Sequence, residues 1–249
     1  MKILAVYSSK GGVGKTASSV NFAYTAHCTG HRVLLCDMDS QGAASYYYRI
    51  KPKKKFNRSR LLNGSYYQFI RGTDYTGLDL LPAHFSFRNL DIALKSGQRE
   101  KNRFILHKLL KPLESEYDIV ILDCPPNLTL LSENIIVAAD CVVTPVVPTT
   151  LSVLALSQLL KLFKKVDCEK RKICAFFSMV EQRKTMHRGV MDKYGAHPIF
   201  MENHIPYSAE IEKMGLYRKP VGAGGGVDTP GTVAYRSLWS ELYQRRLAP

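Results

Sequence analysis

The segment Ser9-Lys10-Gly11-Gly12-Val13-Gly14-Lys15-Thr16 decides the fold of this 249-residue chain. Its last three positions match the phosphate-binding pattern G-x-x-x-x-G-K-[ST]. Ser9 stands where that pattern has its first glycine, and Lys10 is an additional cation beside it. An apolar run precedes the segment and a helix-like run follows it. In a strand–loop–helix unit of this kind, the backbone N–H groups of the loop and the N-terminus of the helix can bind one anion. We therefore expect Lys15 to contact nucleotide phosphate and the Thr16 hydroxyl to bind Mg²⁺.

Apolar strand-like runs alternate with amphipathic segments along the rest of the chain. The strand-like runs are Ile3–Tyr7, Arg32–Cys36, Leu78–Pro82, Asp118–Leu122, Cys141–Val147 and Lys172–Met179. The helix-like segments are Thr16–Cys28, Arg103–Glu116, Leu130–Ala139, Ser152–Val166 and Val233–Arg246, with a glycine-rich loop at Val221–Gly226. This pattern predicts an α/β fold with a mostly parallel sheet and helices on both faces. No linker divides the chain, so we expect a single P-loop NTPase domain over residues 1–249.

Acidic residues follow two of the apolar strands. Asp123 comes directly after Asp118–Leu122, where a phosphate-loop enzyme has its metal-supporting carboxylate. Asp37 and Asp39 follow another strand, and one of them could position the attacking water. The alternatives are a carboxylate that caps the next helix and an acidic turn without a role in catalysis.

The composition favours an anionic partner. The chain has 35 Lys and Arg against 21 Asp and Glu, a net charge of +14, and such an excess suits nucleic acid or an acidic membrane surface. A basic protein without such a partner is the alternative. The six cysteines form no C-x-x-C pair, and no run resembles a signal peptide or reaches the length of a membrane span. We therefore expect a cytoplasmic protein with free thiols.

Three motifs carry a resemblance to a known family. KGGVGKT at 10–16, CDMDSQG at 36–42 and DCPP at 123–126 resemble the ParA/MinD-type ATPases with a deviant Walker A loop, and the similarity is closest to ParA-like partition and cargo-positioning ATPases. It extends over nearly the whole chain. The resemblance implies ATP and Mg²⁺ as cofactors, slow hydrolysis and a homodimer in the ATP state. It also implies non-specific DNA, nucleoid association and a stimulating ParB-like or cargo adaptor protein.

The resemblance assigns roles to individual residues. Lys10 would contact phosphate in the partner's site, Lys15 would bind phosphate in its own subunit, and Asp39 would help to activate water. Thr16, Asp39 and Asp123 would serve the metal, and Asp37 would have a structural or indirect role. The implied nucleotide-binding set is Lys10, Gly11, Gly12, Val13, Gly14, Lys15, Thr16, Ala17 and Pro206.

The sequence offers several candidate residues for contacts with DNA. The family often has an arginine at the position of Tyr207, and its absence weakens a simple transfer of the family's DNA surface. The candidate contacts are Arg183, Lys184, Arg188, Lys213, Arg218, Lys219, Arg245 and Arg246, with solvated helix faces as the alternative. The run Arg49–Arg60 carries seven positive charges and no negative one. It could bind DNA or an acidic partner with help from Tyr46–Tyr48 and Phe56, or form a mobile solvated loop.

Two rival functions share the nucleotide loop. A MinD-like membrane-associated positioning ATPase would use an amphipathic C-terminal helix, and Ser237–Leu247 has that pattern. The same segment also fits an ordinary helix docked on the core, and we therefore expect core packing rather than a membrane partner. An iron–sulfur reductase would need cluster-ligating cysteines, and Cys124 has no suitably placed second cysteine.

Overall fold

The computed structural model describes residues 1–95, 102–224 and 228–248, and these contain one seven-stranded sheet. The strands are β1 (Lys2–Val6), β2 (Val33–Asp37), β3 (Arg71–Gly72), β4 (Leu78–Leu81), β5 (Ile119–Asp123), β6 (Cys141–Val146) and β7 (Ile173–Phe177). Their order is β3-β4-β2-β5-β1-β6-β7, and only β3 runs antiparallel to its neighbour. The predicted α/β fold with a mostly parallel sheet is therefore confirmed.

Helices cover this sheet. They are α1 (Lys15–Cys28), α2 (Ala43–Tyr47), α3 (Arg58–Leu62), α4 (Leu90–Leu94), α5 (Ile105–Leu110), α6 (Leu130–Ala138), α7 (Thr150–Lys165), α8 (Thr185–Tyr194), α9 (Ala209–Glu212), α10 (Met214–Tyr217) and α11 (Pro230–Leu242). The predicted helix Arg103–Glu116 is shorter, because the chain continues as a 3₁₀ turn from Lys111 that contains Pro112. Proline lacks the N–H that an α-helix interior requires.

Two apolar cores lie on opposite faces of the sheet. Along β1, Ile3 and Ala5 face the core formed with α5, α6 and α7. Leu4 and Val6 face the core formed with α1 and α11. This alternation follows from the two-residue period of a strand, and it explains why strands of a covered parallel sheet are apolar throughout.

The parallel register places the functional strand ends side by side. Val6 of β1 and Asp37 of β2 are both Cα partners of Asp123 in β5. The loops that follow these three strands therefore leave the sheet at one edge. In open α/β sheets, this carboxyl edge is where ligands bind.

The C-terminal helix α11 starts earlier than predicted. Pro230 occupies its first turn, and the Thr229 side chain accepts a hydrogen bond from the Thr232 N–H. In the predicted glycine-rich loop, Val221–Gly224 forms one 3₁₀ turn, whereas positions 225 and 226 lie outside the described residues. Among the helices that the structure describes, none combines the length and apolarity needed to cross a lipid bilayer.

Candidate nucleotide-binding site

The glycine-rich loop connects β1 to α1 and has the backbone shape of a phosphate cradle. Gly12 and Gly14 have φ angles of 70° and 90°, in the left-handed region that glycine adopts without a steric penalty. A Cβ atom on Gly14 would also lie 3.1 Å from the Ser178 Oγ, directly after β7. Gly14 therefore satisfies both a backbone requirement and a packing requirement, while the buried Val13 anchors the loop to the protein interior.

Lys15 and Thr16 open helix α1 at this loop. Lys15 is almost fully buried, and its Nζ donates a 3.0 Å hydrogen bond to the Lys10 carbonyl. Burial lowers the pKa of Lys15, and the nearby Asp123 carboxylate partly opposes that effect. The first N–H groups of a helix have no intrahelical partner, so the start of α1 combines free donors with a lysine. This arrangement suits the β and γ phosphates of a nucleotide.

Asp123 ends β5 and lies beneath the start of α1. Its carboxyl group is fully buried, and Oδ1 accepts a 2.9 Å hydrogen bond from the Ser19 hydroxyl. Burial raises the pKa of Asp123, the nearby Asp37 charge raises it further, and hydrogen bonds from Ser19 and Thr16 act in the opposite direction. Oδ2 has no hydrogen-bond partner although it is buried. A buried acceptor without a partner is rare.

These oxygens fit a magnesium ion. Mg²⁺ usually takes one or two protein oxygens, with substrate phosphates and water completing its shell. The free Oδ2 of Asp123 and the adjacent Thr16 hydroxyl provide that donor type beside the phosphate loop. The structure thus places two of the predicted metal residues together.

Asp37 and Asp39 have different surroundings. Asp37 is buried, and its Oδ2 accepts hydrogen bonds from the Ser45 N–H at 2.8 Å and the Ser45 hydroxyl at 2.6 Å. It therefore fastens α2 to the end of β2. Asp39 is partly exposed in the loop between them, and its Oδ1 accepts a hydrogen bond from the Gln41 N–H at 3.0 Å. Of the two, Asp39 is the carboxylate that can reach a bound nucleotide.

Lys10 contacts a different helix from Lys15. Its Nζ donates to the Ser152 hydroxyl at 3.0 Å and lies 3.5 Å from the Thr149 hydroxyl. Both hydroxyls stand at the N-terminal end of α7. The Lys10 ammonium therefore contacts the start of α7, whereas the Lys15 ammonium contacts the backbone of the phosphate loop.

Two further predicted nucleotide residues flank the loop. Ala17 is half-buried in the first turn of α1. Pro206 pairs with Val180 in an isolated parallel bridge, and the adjacent Met179 has its Cε 3.7 Å from the position of a Cβ on Gly14. Pro206 is thus paired with the segment directly after β7, and Met179 of that segment borders the loop. Gly11 is exposed at the tip of the loop, with open space around it.

The candidate DNA-binding residues differ in whether their charged groups already have a partner within the chain. Arg183, Arg188 and Lys213 are exposed, whereas Lys184 pairs with Glu181. Lys219 lies 6.0 Å from the Tyr217 ring centroid. Lys213, Arg218 and Lys219 flank α10.

The remaining candidate arginines make internal contacts. Arg218 stacks on the Tyr46 ring at 4.4 Å and donates to the Tyr46 carbonyl. Arg245 donates to the carbonyls of Phe200 and Pro198 and also pairs with Glu241. Arg246 donates to the Cys174 Sγ at 3.0 Å. All three guanidinium groups therefore have partners within the chain. They are less available for DNA than the sequence alone suggested.

The basic run Arg49–Arg60 is attached to the core through Phe56, and the expectation that its aromatic residues assist binding was wrong for Phe56 and Tyr48. Phe56 and Tyr48 are buried in the cores because their rings pack against other aromatic side chains. Phe56 stacks on Phe69 with 4.8 Å between centroids. Only Tyr46 of the predicted aromatics is well exposed, and Arg218 covers its ring.

The apolar helix face and the cysteine that the two rival functions would need are both buried in the protein. Leu238, Trp239 and Leu242 are buried against the sheet core, so α11 turns its apolar face inward rather than toward a membrane. The Cys124 thiol is buried and donates to the Leu122 carbonyl. Neither segment presents the surface that its rival function requires.

Three serines at the site were not predicted. Ser19 supports Asp123, Ser45 holds Asp37, and Ser152 receives Lys10. Ser19 follows Lys15 by four residues and Thr16 by three, so helical spacing alone could have placed it on their face. Ser45 and Ser152 come from separate elements, and no local pattern connects them to their partners.

The comparisons with known proteins agree with this geometry. Residues 1–175 match the family model AAA_31, described as an AAA domain. The chain is 31% identical to the chromosome partitioning protein ParA of Caulobacter vibrioides, over 98% of this chain and 95% of that protein. It is 27% identical, with a TM-score of 0.80, to a cobyrinic acid a,c-diamide synthase from Mycobacterium smegmatis with bound ATP analogue and magnesium, over 98% and 94% of the two chains.

A second solved structure shares the fold. A plasmid partition protein from Borrelia burgdorferi bound to AMPPNP superposes with a TM-score of 0.81 over 98% of this chain and 99% of that one, at 20% identity. The predicted resemblance is confirmed by the family model and by the partition relatives. The chain belongs to the ParA-like family of P-loop ATPases.

Proposed function

We propose that this chain is an ATP-dependent dimerising switch, which hydrolyses ATP slowly and binds DNA non-specifically to segregate or position a cargo. The single observation that carries the proposal is the convergence of Lys15, Thr16, Asp39 and Asp123 at adjoining ends of β1, β2 and β5. Each residue type has a separate task in phosphoryl transfer. The partition proteins among its relatives make positioning of a cargo the favoured role.

The phosphate loop would bind and orient the nucleotide. Lys15 and the backbone N–H groups at the start of α1 would hold the β and γ phosphates, which develop charge in the transition state. Bound Mg²⁺ would neutralise part of that charge, held by Thr16 and supported by Asp123. Asp39 is a partly exposed carboxylate in the loop after β2 and would orient the attacking water. The segment at Pro206 would border the base.

Lys10 supports the dimeric part of the proposal. Its ammonium contacts the Ser152 and Thr149 hydroxyls at the start of α7. A lysine in that position can reach the phosphates of a second copy across a two-fold interface. A cation supplied in trans would stabilise the transition-state charge only after dimerisation, which makes hydrolysis depend on the dimer.

The DNA contact would use the exposed cations that follow β7. Arg183 and Arg188 project from the start of α8, and Lys213 lies between α9 and α10. Lysine and arginine on phosphates give affinity without sequence preference. The switch would then act in the cytoplasm on the nucleoid, and a ParB-like or cargo adaptor protein would stimulate ATP turnover.

Retention on DNA with different nucleotides tests the proposal. A duplex of arbitrary sequence is immobilised, and the chain is applied with ATP, with ADP or without nucleotide. We expect retention with ATP alone and a steep decrease with salt. Lys15→Ala is the matched control, because it should lose nucleotide binding and therefore retention. Equal retention in all three conditions would contradict a nucleotide-gated switch.

A further inference from the structure

The basic charge of this chain is concentrated in one stretch. Residues 40–73 contain eight lysines and arginines and no aspartate or glutamate. We propose that this stretch forms a second surface for duplex DNA, separate from Arg183 and Arg188. We call it the edge cluster and define it by the exposed residues Lys51, Lys53, Lys54, Lys55, Arg60 and Arg71. The inference rests on the proposed function for the choice of DNA as the polyanion, and it adds a site that the proposal does not use.

The edge cluster is carried by a fixed scaffold. Phe56, in the middle of the run, is fully buried and packs on Phe69 and Phe87 with centroid distances of 4.8 and 5.6 Å. The Phe56 N–H donates to the Lys53 carbonyl, and the Arg58 N–H donates to the Ser86 hydroxyl. The lysines between these anchor points therefore start from an ordered backbone. A charge run on such a backbone loses less entropy on binding than a mobile loop would.

The positive charges of the cluster are not neutralised within the chain. Across residues 1–95, 102–224 and 228–248, the one ion pair formed by this run joins Arg49 to Asp74. Lys53, Lys54 and Lys55 are consecutive, exposed and without an acidic partner in those ranges. Like charges held close together repel one another, and a polyanion that binds them relieves the repulsion.

The chemistry of the surface favours phosphate groups over an acidic protein. Protein interfaces depend on buried aromatic or aliphatic anchors at their centre. Tyr48 and Phe56 are turned into the cores, and the exposed ring of Tyr46 is covered by Arg218. The surface therefore offers lysine and arginine without an apolar anchor or a ring for base stacking. Such groups bind the backbone of a duplex and do not read its sequence.

The edge cluster lies far from Arg183 and Arg188, whereas Arg218 contacts Tyr46 close to the start of the basic run. Arg49 pairs with Asp74 in the turn between β3 and β4, which places the run at the β3 edge of the sheet. α8, with Arg188, packs by Val190 and Met191 against the core at β7. The edge strands of this seven-stranded sheet are six inter-strand spacings apart, a distance of roughly 29 Å at about 4.8 Å per spacing. The two basic surfaces can therefore be removed independently.

The salt dependence of binding tests the edge cluster. The variant carries Lys53→Gln, Lys54→Gln and Lys55→Gln, and the control carries Lys108→Gln, Lys111→Gln and Lys164→Gln. The control lysines are also exposed, so both proteins lose the same charge. Affinity for a short labelled duplex is measured with ATP at several salt concentrations. We expect the slope of log K against log salt to become shallower by about 0.9 per lost contact in the variant alone.

The possible results separate this inference from the proposed function. If the wild type binds DNA and the edge variant keeps its slope, the edge cluster is not a DNA surface and the proposed function stands. Failure of the wild type to bind DNA with ATP would overturn both. If the slope became shallower by the same amount in variant and control, the effect would come from net charge alone, and the inference would be overturned. Binding of polyglutamate as tightly as DNA, lost in the edge variant, would assign the surface to an acidic protein instead. ATP affinity, expected to be equal in all three proteins, reports folding.

Discussion

The Lys10 ammonium lies 3.0 Å from the Ser152 hydroxyl, at the N-terminal end of α7. A helix N-terminus carries a partial positive charge and favours anions. A lysine placed there forms hydrogen bonds to neutral hydroxyls but opposes the helix dipole. The contact is therefore a weak resting position, and the ammonium can leave it for a phosphate group without a large loss of free energy.

This arrangement predicts the behaviour of two variants. Lys10→Ala should bind ATP but fail to form the ATP-dependent dimer, and its turnover should fall by roughly 10²-fold or more, since a cation in trans contributes strongly to phosphoryl transfer. Ser152→Ala should dimerise at least as well as the wild type, because it releases Lys10. Sedimentation with ATP, together with phosphate release, measures both. A Lys10→Ala dimer that forms and turns over normally would remove Lys10 from the mechanism.

Asp39 should be needed for ATP turnover but not for ATP binding or dimerisation. Asp39→Ala should retain ATP binding and dimerisation while turnover falls by about 10²-fold or more, because general-base groups contribute this range. Asp74→Ala, at an exposed carboxylate outside the site, should leave turnover unchanged. Single-turnover hydrolysis and nucleotide affinity are measured on the same samples. Normal turnover in Asp39→Ala would exclude Asp39 as the group that orients water.

The C-terminal helix provides a stability prediction that also tests membrane binding. Trp239 is buried in the core shared by α1 and α11, so Trp239→Ala should lower the free energy of unfolding by about 3–5 kcal/mol. Leu216→Ala, at a side chain that is 73% exposed, should change it by less than about 0.5 kcal/mol. Urea unfolding measures both. A Trp239→Ala protein of unchanged stability that no longer binds anionic vesicles would favour the membrane alternative.

The sequence predicted the parts of this molecule that local patterns encode. The apolar strands placed Asp37 and Asp123 at strand ends, and parallel topology then made them neighbours. Ser45, which holds Asp37, lies in a five-residue helix that is too short for its periodicity to be recognised. The prediction for Phe56 was wrong for a related reason. Its charged neighbours indicated an exposed loop, whereas the ring is drawn into the core by Phe69, whose contact is decided by tertiary packing.

The buried carboxyl group of Asp123 predicts how stability depends on pH. Burial and the neighbouring Asp37 raise the pKa of Asp123 from 3.8 to about 8. Between these values the folded chain binds a proton that the unfolded chain has released. The unfolding free energy of the nucleotide-free protein should therefore decrease as the pH rises from about 4 to about 8. The contribution of Asp123 is complete below pH 4 and is lost as the pH passes its folded pKa.

Asp123→Asn isolates this effect, because asparagine keeps the shape and the Ser19 acceptor without a titratable group. The variant should be more stable than the wild type at pH 8 by several kcal/mol, since each unit of pKa difference contributes about 1.4 kcal/mol, and this advantage should be much smaller at pH 5. Its affinity for Mg²⁺ with ATP should fall, since the ionised Oδ2 is lost. Asp74→Asn should follow the wild type at both pH values. Urea unfolding at the two pH values measures stability, and equal stability of wild type and Asp123→Asn at pH 8 would show that the Asp123 pKa is not raised.

Because ligand binding requires the ionised carboxylate, we also expect the wild-type affinity for Mg²⁺ with ATP to increase over this pH range while its stability without ligand decreases.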